Sequence, residues 1–184
     1  MKKLWLVLLT GFVFNSCGNN KSSQMASSSD STAQNASVQN ASTQKMNYPY
    51  TIDQPDNWDI GSAENTMVAL SALKAYENGN VDESMKYFGD SVRLEFDKMD
   101  TTLSHDSLTA MFTRERKNIK SMNVRMDDWE SVVSKDKKDE WVTLWYREKW
   151  VTSKGKIDSA DVINDLKMKN GKIIRLDEYN RILH

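Results

Sequence analysis

Glu140-Trp-Val-Thr-Leu-Trp-Tyr-Arg-Glu-Lys-Trp-Val-Thr152 is dense in β-branched and aromatic residues and alternates in part. The run breaks at Ser153-Lys-Gly-Lys156, resumes from Ile157 to Met168, breaks again at Lys169-Asn-Gly171 and closes with Lys172 to Ile182. Asn-Gly between alternating apolar runs is a strong hairpin signal, because both residues tolerate a positive φ. Three consecutive antiparallel strands follow from this pattern. A sheet of that length has to bury one face, and only upstream helices can cover it.

Working back from the ladder, Met122 to Val133 reads as a long strand bulged around Asp127-Asp128. A helix precedes it, capped by Ser104 or Asp106, with Leu108, Met111 and Phe112 on one face. Arg114-Glu-Arg-Lys117 ends it, where positive charge suits the helix dipole. Thr101 to His105 reads as a loop and Ser91 to Phe96 as a strand. Further upstream, Ser62 caps a helix bearing Met67, Leu70, Leu73 and Tyr76 at helical spacing, and Glu77-Asn-Gly79 stops it. A short helix from Val81 to Phe88 follows. The order is ααβαββββ, an α+β chain.

The N-terminal third has another character. Met1-Lys-Lys3 is positively charged, and Leu4 to Phe14 is an apolar run of 11 residues, too short to span a bilayer but suited to a signal peptide. Asn15-Ser16-Cys17 resembles the lipobox of bacterial lipoproteins, which implies a leader over residues 1–16 and a lipidated Cys17. Phe14 and Asn15 depart from the usual residues of that motif. An ordinary signal peptide and an uncleaved anchor are the rival readings. From Gly18 to about Asn47 the chain is almost all Ser, Asn, Gln, Ala and Thr, which cannot bury enough surface to offset its ordering entropy. Some 30 such residues reach roughly 30 Å. Both prolines, Pro49 and Pro55, fall in a rigid lead-in from Tyr48 to Asn57. The expected organisation is leader 1–16, tether 17–57 and folded domain 58–184. Gly18, where an Asp would imply inner-membrane retention, implies by the same resemblance an outer-membrane anchor facing the periplasm.

Composition excludes several classes. The 25 basic and 26 acidic side chains give −1 and are interspersed, leaving no basic stripe for nucleic acid. Cys17 is the sole cysteine, so no intramolecular disulfide exists. The carboxylate spacing matches no metal site, and no cofactor motif is present.

The run from Leu73 to Phe96, with Asn78-Gly-Asn80 between two helices and Tyr87-Phe-Gly-Asp90 before a strand, resembles the opening of nuclear-transport-factor-2-like domains. The superfamily includes SnoaL-like polyketide cyclases and ketosteroid isomerase. Asn170-Gly-Lys-Ile173 matches a late turn of the family, so the likeness spans Ala63 to Ile182. It implies a strongly curved, mostly antiparallel sheet wrapped around helices into a cone with a cavity. Carried over by position, the isomerase's base falls on Phe96, its Tyr on Ala72 and its Asp on Asn164. None of the three matches. The cyclases' His–Asp pairing leaves His105-Asp106 as a weak candidate, and His184 is terminal.

Period-two reading supplies candidate ligand contacts. Val142, Leu144, Tyr146, Glu148 and Trp150 share a side, as do Ala160, Val162, Asn164, Leu166 and Met168, and again Ile174, Leu176, Glu178 and Asn180. If these sides form the concave wall, Tyr146, Glu148, Trp150, Asn164, Glu178 and Asn180 line it. Glu148 and Glu178 either sit inside, where an unpaired carboxylate is costly, or lie in water at the open end. Trp141 and Trp145, with Arg147 and Lys149, face the other way. They form a partner surface such as a homodimer contact, or are covered by their own neighbours. Two functions compete: a non-catalytic envelope lipoprotein binding a small apolar or amphipathic ligand or a protein, and a cyclase- or isomerase-like enzyme using the same cavity.

Overall fold

A computed structural model describes residues 47–52 and 58–183. The leader, Cys17, most of the tether and His184 lie outside the described residues. In the lead-in, the described residues 47–52 form neither helix nor strand, and Tyr48, Tyr50 and Ile52 are exposed.

The elements are β1 (Trp58–Ile60), α1 (Ala63–Glu77), α2 (Val81–Met85), β2 (Phe88–Phe96), β3 (Met99–Ser104), α3 (His105–Lys117), β4 (Ile119–Ser134), β5 (Glu140–Thr152), β6 (Ile157–Lys169) and β7 (Lys172–Leu183). All seven strands join one sheet in the order β1-β4-β5-β6-β7-β2-β3. Neighbours run antiparallel except β2 and β7, which are parallel. The expected α+β fold with a curved, mostly antiparallel sheet is the one observed. Its bends sit at register shifts, including Met126/Asp128 in β4, where the bulge was expected, and a bulge turns and twists the strand that carries it.

Three local expectations are corrected. Residues 101–104 belong to β3, paired with β2 from Phe96↔Met99 to Ser91↔Ser104 across a two-residue turn that holds Asp97 at φ 43°. The helix from Val81 ends at Met85, and Phe88 begins β2. On α1 the fully buried apolar positions are Ala69, Ala72 and Ala75, while Met67 is exposed. Small side chains let this helix lie close against the sheet, and Leu70, Leu73 and Tyr76 pack on its flank. A further strand, β1, went unread. Its exit needs Gly61, whose N–H donates to Ser131 O at 2.7 Å and whose Cβ, were there one, would stand 2.8 Å from the Ser131 carbonyl carbon.

Caps set the helices as the residue types require. Ser62 Oγ accepts from Asn65 N at 3.1 Å, and Ser104 Oγ from Ser107 N at 3.3 Å. At the end of α1, Gly79 takes φ +82° and Asn80 N donates to Ala75 O, which satisfies carbonyls the helix leaves open.

On the sheet's covered face, Val142, Leu144, Ala160, Val162, Leu166 and Met168 are buried as the alternation predicts. On β7 the alternation slips. A register shift between Lys167 and Met168 puts Ile173, not Ile174, into the core beside Leu176. On the outer face Lys167 Nζ lies over the Trp141 ring at 5.5 Å from its centroid, and Arg175 Cζ at 5.6 Å. Lys167 and Arg175 are successive cross-strand partners of Trp141 on β6 and β7. Trp141 is therefore capped by its own sheet, while Ile163 and Tyr179 on the same sheet are exposed.

Candidate functional site

Between the helices and the covered face of the sheet lies a cavity of about 410 Å³, within the range of small-molecule sites. Its walls are mostly apolar. Ala72, Leu73 and Tyr76 come from α1, Met111 and Phe112 from α3, and Phe88, Phe96, Leu144, Leu166 and Leu176 from the sheet. The ring of Phe112 meets those of Tyr76 and Phe88 edge-on, at 5.6 and 5.9 Å between centroids, the arrangement that ring quadrupoles favour.

The polar groups cluster on the sheet side. Leu144, Asn164 and Glu178 are successive cross-strand partners on β5, β6 and β7, and Tyr146 and Glu148 follow Leu144 on the same side of β5. The buried Asn164 Nδ2 donates to the Tyr146 hydroxyl at 3.1 Å. That leaves the phenolic hydrogen free for a further acceptor. Asn164 Oδ1 is buried and has no hydrogen-bond partner among the described residues, a state that costs about 1–3 kcal/mol until something donates to it.

Burial pushes the Glu148 carboxyl up to about 7, and the neighbouring Glu178 carboxylate adds to the effect. Burial also raises Glu178, opposed by Asn180 Nδ2, which donates to its Oε1 at 3.2 Å. The Tyr146 phenol is held well above its ordinary range by burial and then by the two glutamates, with Asn164 pulling the other way. Tyr76 is pushed up to about 12 by burial, against the opposing charge of Arg116.

Of the six side chains expected to line the concave wall, the structure brings Tyr146, Glu148, Asn164 and Glu178 together on the cavity. Both glutamates are half-buried there, so they do not lie free in water. Trp150 is outside the lining, half-buried against the core near the end of β5, and Asn180 is exposed and reaches the site only through Glu178. Sequence reasoning missed Tyr76, Arg114 and Glu115. They line the cavity from α1 and α3, and helical periodicity alone gave no direction for charged residues in a last turn.

The three positions carried over from ketosteroid isomerase, Phe96, Ala72 and Asn164, all line the cavity. The resemblance thus located the pocket, and each position holds a side chain that does not ionise. His105 is elsewhere, its Nε2 3.1 Å from Met85 O. Among the described residues no three His, Cys, Asp or Glu side chains are grouped to hold a metal, and no helix is long and apolar enough to cross a membrane.

No family model and no curated protein matches the sequence. Solved structures do resemble the fold. An LEH-like epoxide hydrolase of M. tuberculosis superposes with a TM-score of 0.53 at 13% identity, over 65% of this chain and 84% of that one. AusH from Aspergillus nidulans gives 0.54 at 15% over 66% and 86%. An NTF2-like protein of unknown function from Burkholderia pseudomallei gives 0.53 at 12% over 65% and 92%. At these identities the likeness establishes the architecture alone.

Proposed function

With the nuclear-transport-factor-2-like cone as premise, we propose that this chain is a lipid-anchored envelope lipoprotein whose domain binds a small, largely apolar ligand. Asn164 and Tyr146 fix the ligand's polar end. The observation that carries the reading is the buried, unpartnered Asn164 Oδ1 on the wall of an otherwise apolar cavity. An acceptor in that position recovers its desolvation cost when a donor reaches it through the cavity, as a ligand's polar end would. The anchor rests on the Leu4–Phe14 run, on Cys17 and on the polar stretch after it, and Gly18, where an Asp would favour inner-membrane retention, suits an outer-membrane attachment facing the periplasm. The outer sheet face, with Ile163 and Tyr179 exposed, is the proposed contact for a second copy.

Native mass spectrometry of the full, untagged chain tests both parts. A co-purified small molecule is expected in the wild type and absent from Asn164→Leu, and the subunit count reads out the homodimer. A chain that carries nothing, and takes up nothing from a panel of apolar alcohols and amines, overturns the binding reading.

A second, catalytic reading has its own support in Glu148, whose carboxyl titrates at about 7 and can therefore exchange protons near neutral pH. One of the structural neighbours is an epoxide hydrolase. Turnover of an epoxide by the wild type, abolished in Glu148→Gln, would replace the binding reading with this one.

A further inference from the structure

The charge inventory of the cavity wall is unbalanced. Three carboxyls line it (Glu115, Glu148 and Glu178) against one guanidinium, Arg114. Arg114 is already taken, its Nε lying 3.3 Å from Glu115 Oε1. The nearby Arg116 spends its guanidinium on the backbone carbonyls of Tyr76, Glu77 and Ile119. Glu148 and Glu178 are left with no basic partner among the described residues, although these form fourteen salt bridges, one of them the Arg114–Glu115 pair on this wall. A half-buried acid without a counter-charge is an unfavourable arrangement for a merely structural wall.

The hydrogen-bonding inventory leans the same way. Asn164 Oδ1, buried and without a partner, is an acceptor, and the two carboxylates add further acceptors. The donors are tyrosine hydroxyls. Such a lining asks for a ligand that brings N–H groups and positive charge. Tyr76, Phe88 and Phe112 add aromatic rings to the same cavity, and aromatic faces attract a desolvated cation. An anionic amphiphile such as a fatty acid would meet like charge. A neutral one would leave both acids to neutralise by taking up protons and would gain no ion pair.

Building on the binding reading above, we propose that the ligand is a cationic amphiphile, an apolar body carrying a protonated amine that Glu148 and Glu178 hold in the cavity. The raised carboxyls of the empty site agree with this. An ammonium supplies the positive charge that a buried acid otherwise obtains by taking a proton.

The test is calorimetric titration of the full chain in nanodiscs, with empty nanodiscs subtracted, using a matched trio of 2-naphthylmethylamine, 2-naphthylmethanol and 2-naphthoate. At pH 7.5 the amine is expected to bind at least tenfold more tightly than the alcohol, with the carboxylate weakest. In Glu148→Gln/Glu178→Gln the amine is expected to bind no more tightly than the alcohol measured in the same variant. A second readout needs no variant. At pH 6 Glu148 in the empty wild type is mostly protonated, so amine binding releases a proton to the buffer and alcohol binding does not. Alcohol binding equal to or tighter than amine binding, or amine binding without proton release, overturns the proposal and leaves the binding reading standing. Failure of all three probes to bind overturns the proposal, and in a chain that also carries no co-purified molecule it removes the binding reading with it.

Discussion

Glu148 shows how a single wall residue reports on the whole cavity. Its carboxyl titrates at about 7 when folded, against an ordinary 4.5. The folded state thus holds its proton more tightly than the unfolded chain does. Stability from this group is full below pH 4.5 and is lost as pH rises toward 7, a loss on the order of 3 kcal/mol at most. Raised Glu178 acts in the same direction. Urea denaturation at pH 5 and pH 8 is therefore expected to show the wild type weaker at pH 8, and Glu148→Gln to flatten a large part of that difference. An unchanged pH slope in the variant would mean that the carboxyl sits in water. This residue was legible in the sequence because β5 alternates cleanly through Leu144, Tyr146 and Glu148. Trp150 keeps to the same covered side but packs against the core beyond the cavity, whereas the rule misplaced Ile174, because the register shift beside Met168 turns Ile173 inward instead. A bulge inserts one residue and reverses every inside–outside assignment on its far side, and nothing in Lys172-Ile-Ile-Arg175 announces it.

Among the elements, α3 depends on a contact that periodicity does not encode. The residues Arg114 to Lys117 read as charge placed to suit a helix C-terminus, yet Arg116 does a more specific job. Its Nε donates to Tyr76 O at 3.0 Å, Nη2 to Glu77 O at 3.0 Å and Nη1 to Ile119 O at 2.7 Å. One planar fork thus satisfies carbonyls at the end of α1 and ties α1, α3 and the start of β4 together. Gly79 is part of the same arrangement, since a Cβ there would stand 3.1 Å from Arg116 Nη2 at a φ of +82°. Arg116→Ala is expected to cost about 2–4 kcal/mol in denaturant titration, three carbonyls losing a charged donor at once. Arg116→Lys is expected to recover less than half of it, because a point-like ammonium cannot serve three diverging acceptors. Full rescue by lysine would reduce the contact to simple charge. Helix existence and type were legible from caps and spacing. β3 was not, because Met99-Asp-Thr-Thr-Leu-Ser104 is short, polar and half-exposed, and its strand character comes from pairing with β2.

For the whole molecule, the proposed anchor makes a direct prediction. Cys17→Ser is expected to move the protein from the membrane fraction to the soluble periplasm with the domain intact, and unchanged partitioning would remove the anchor from the proposal. The α+β cone was readable from the long ladder, its turns and the resemblance, while the sheet order was not, since no local signal tells a strand to pair in parallel with one lying far along the chain, as Arg93 pairs with Arg175. That pairing of β2 with β7, in register from Arg93↔Arg175 to Phe96↔Glu178, has a temporal consequence. A chain is made from its N-terminus, and β2 with β3 can join the other strands only through β7. While the chain is still emerging, β2 has no strand beyond its own hairpin to pair with, and the aromatic wall built on Phe88 and Phe96 stays open to whatever is nearby. Completion is a single late event that waits for the last dozen strand residues, and a premature stop before Lys172 would forfeit the cavity and not merely trim the sheet.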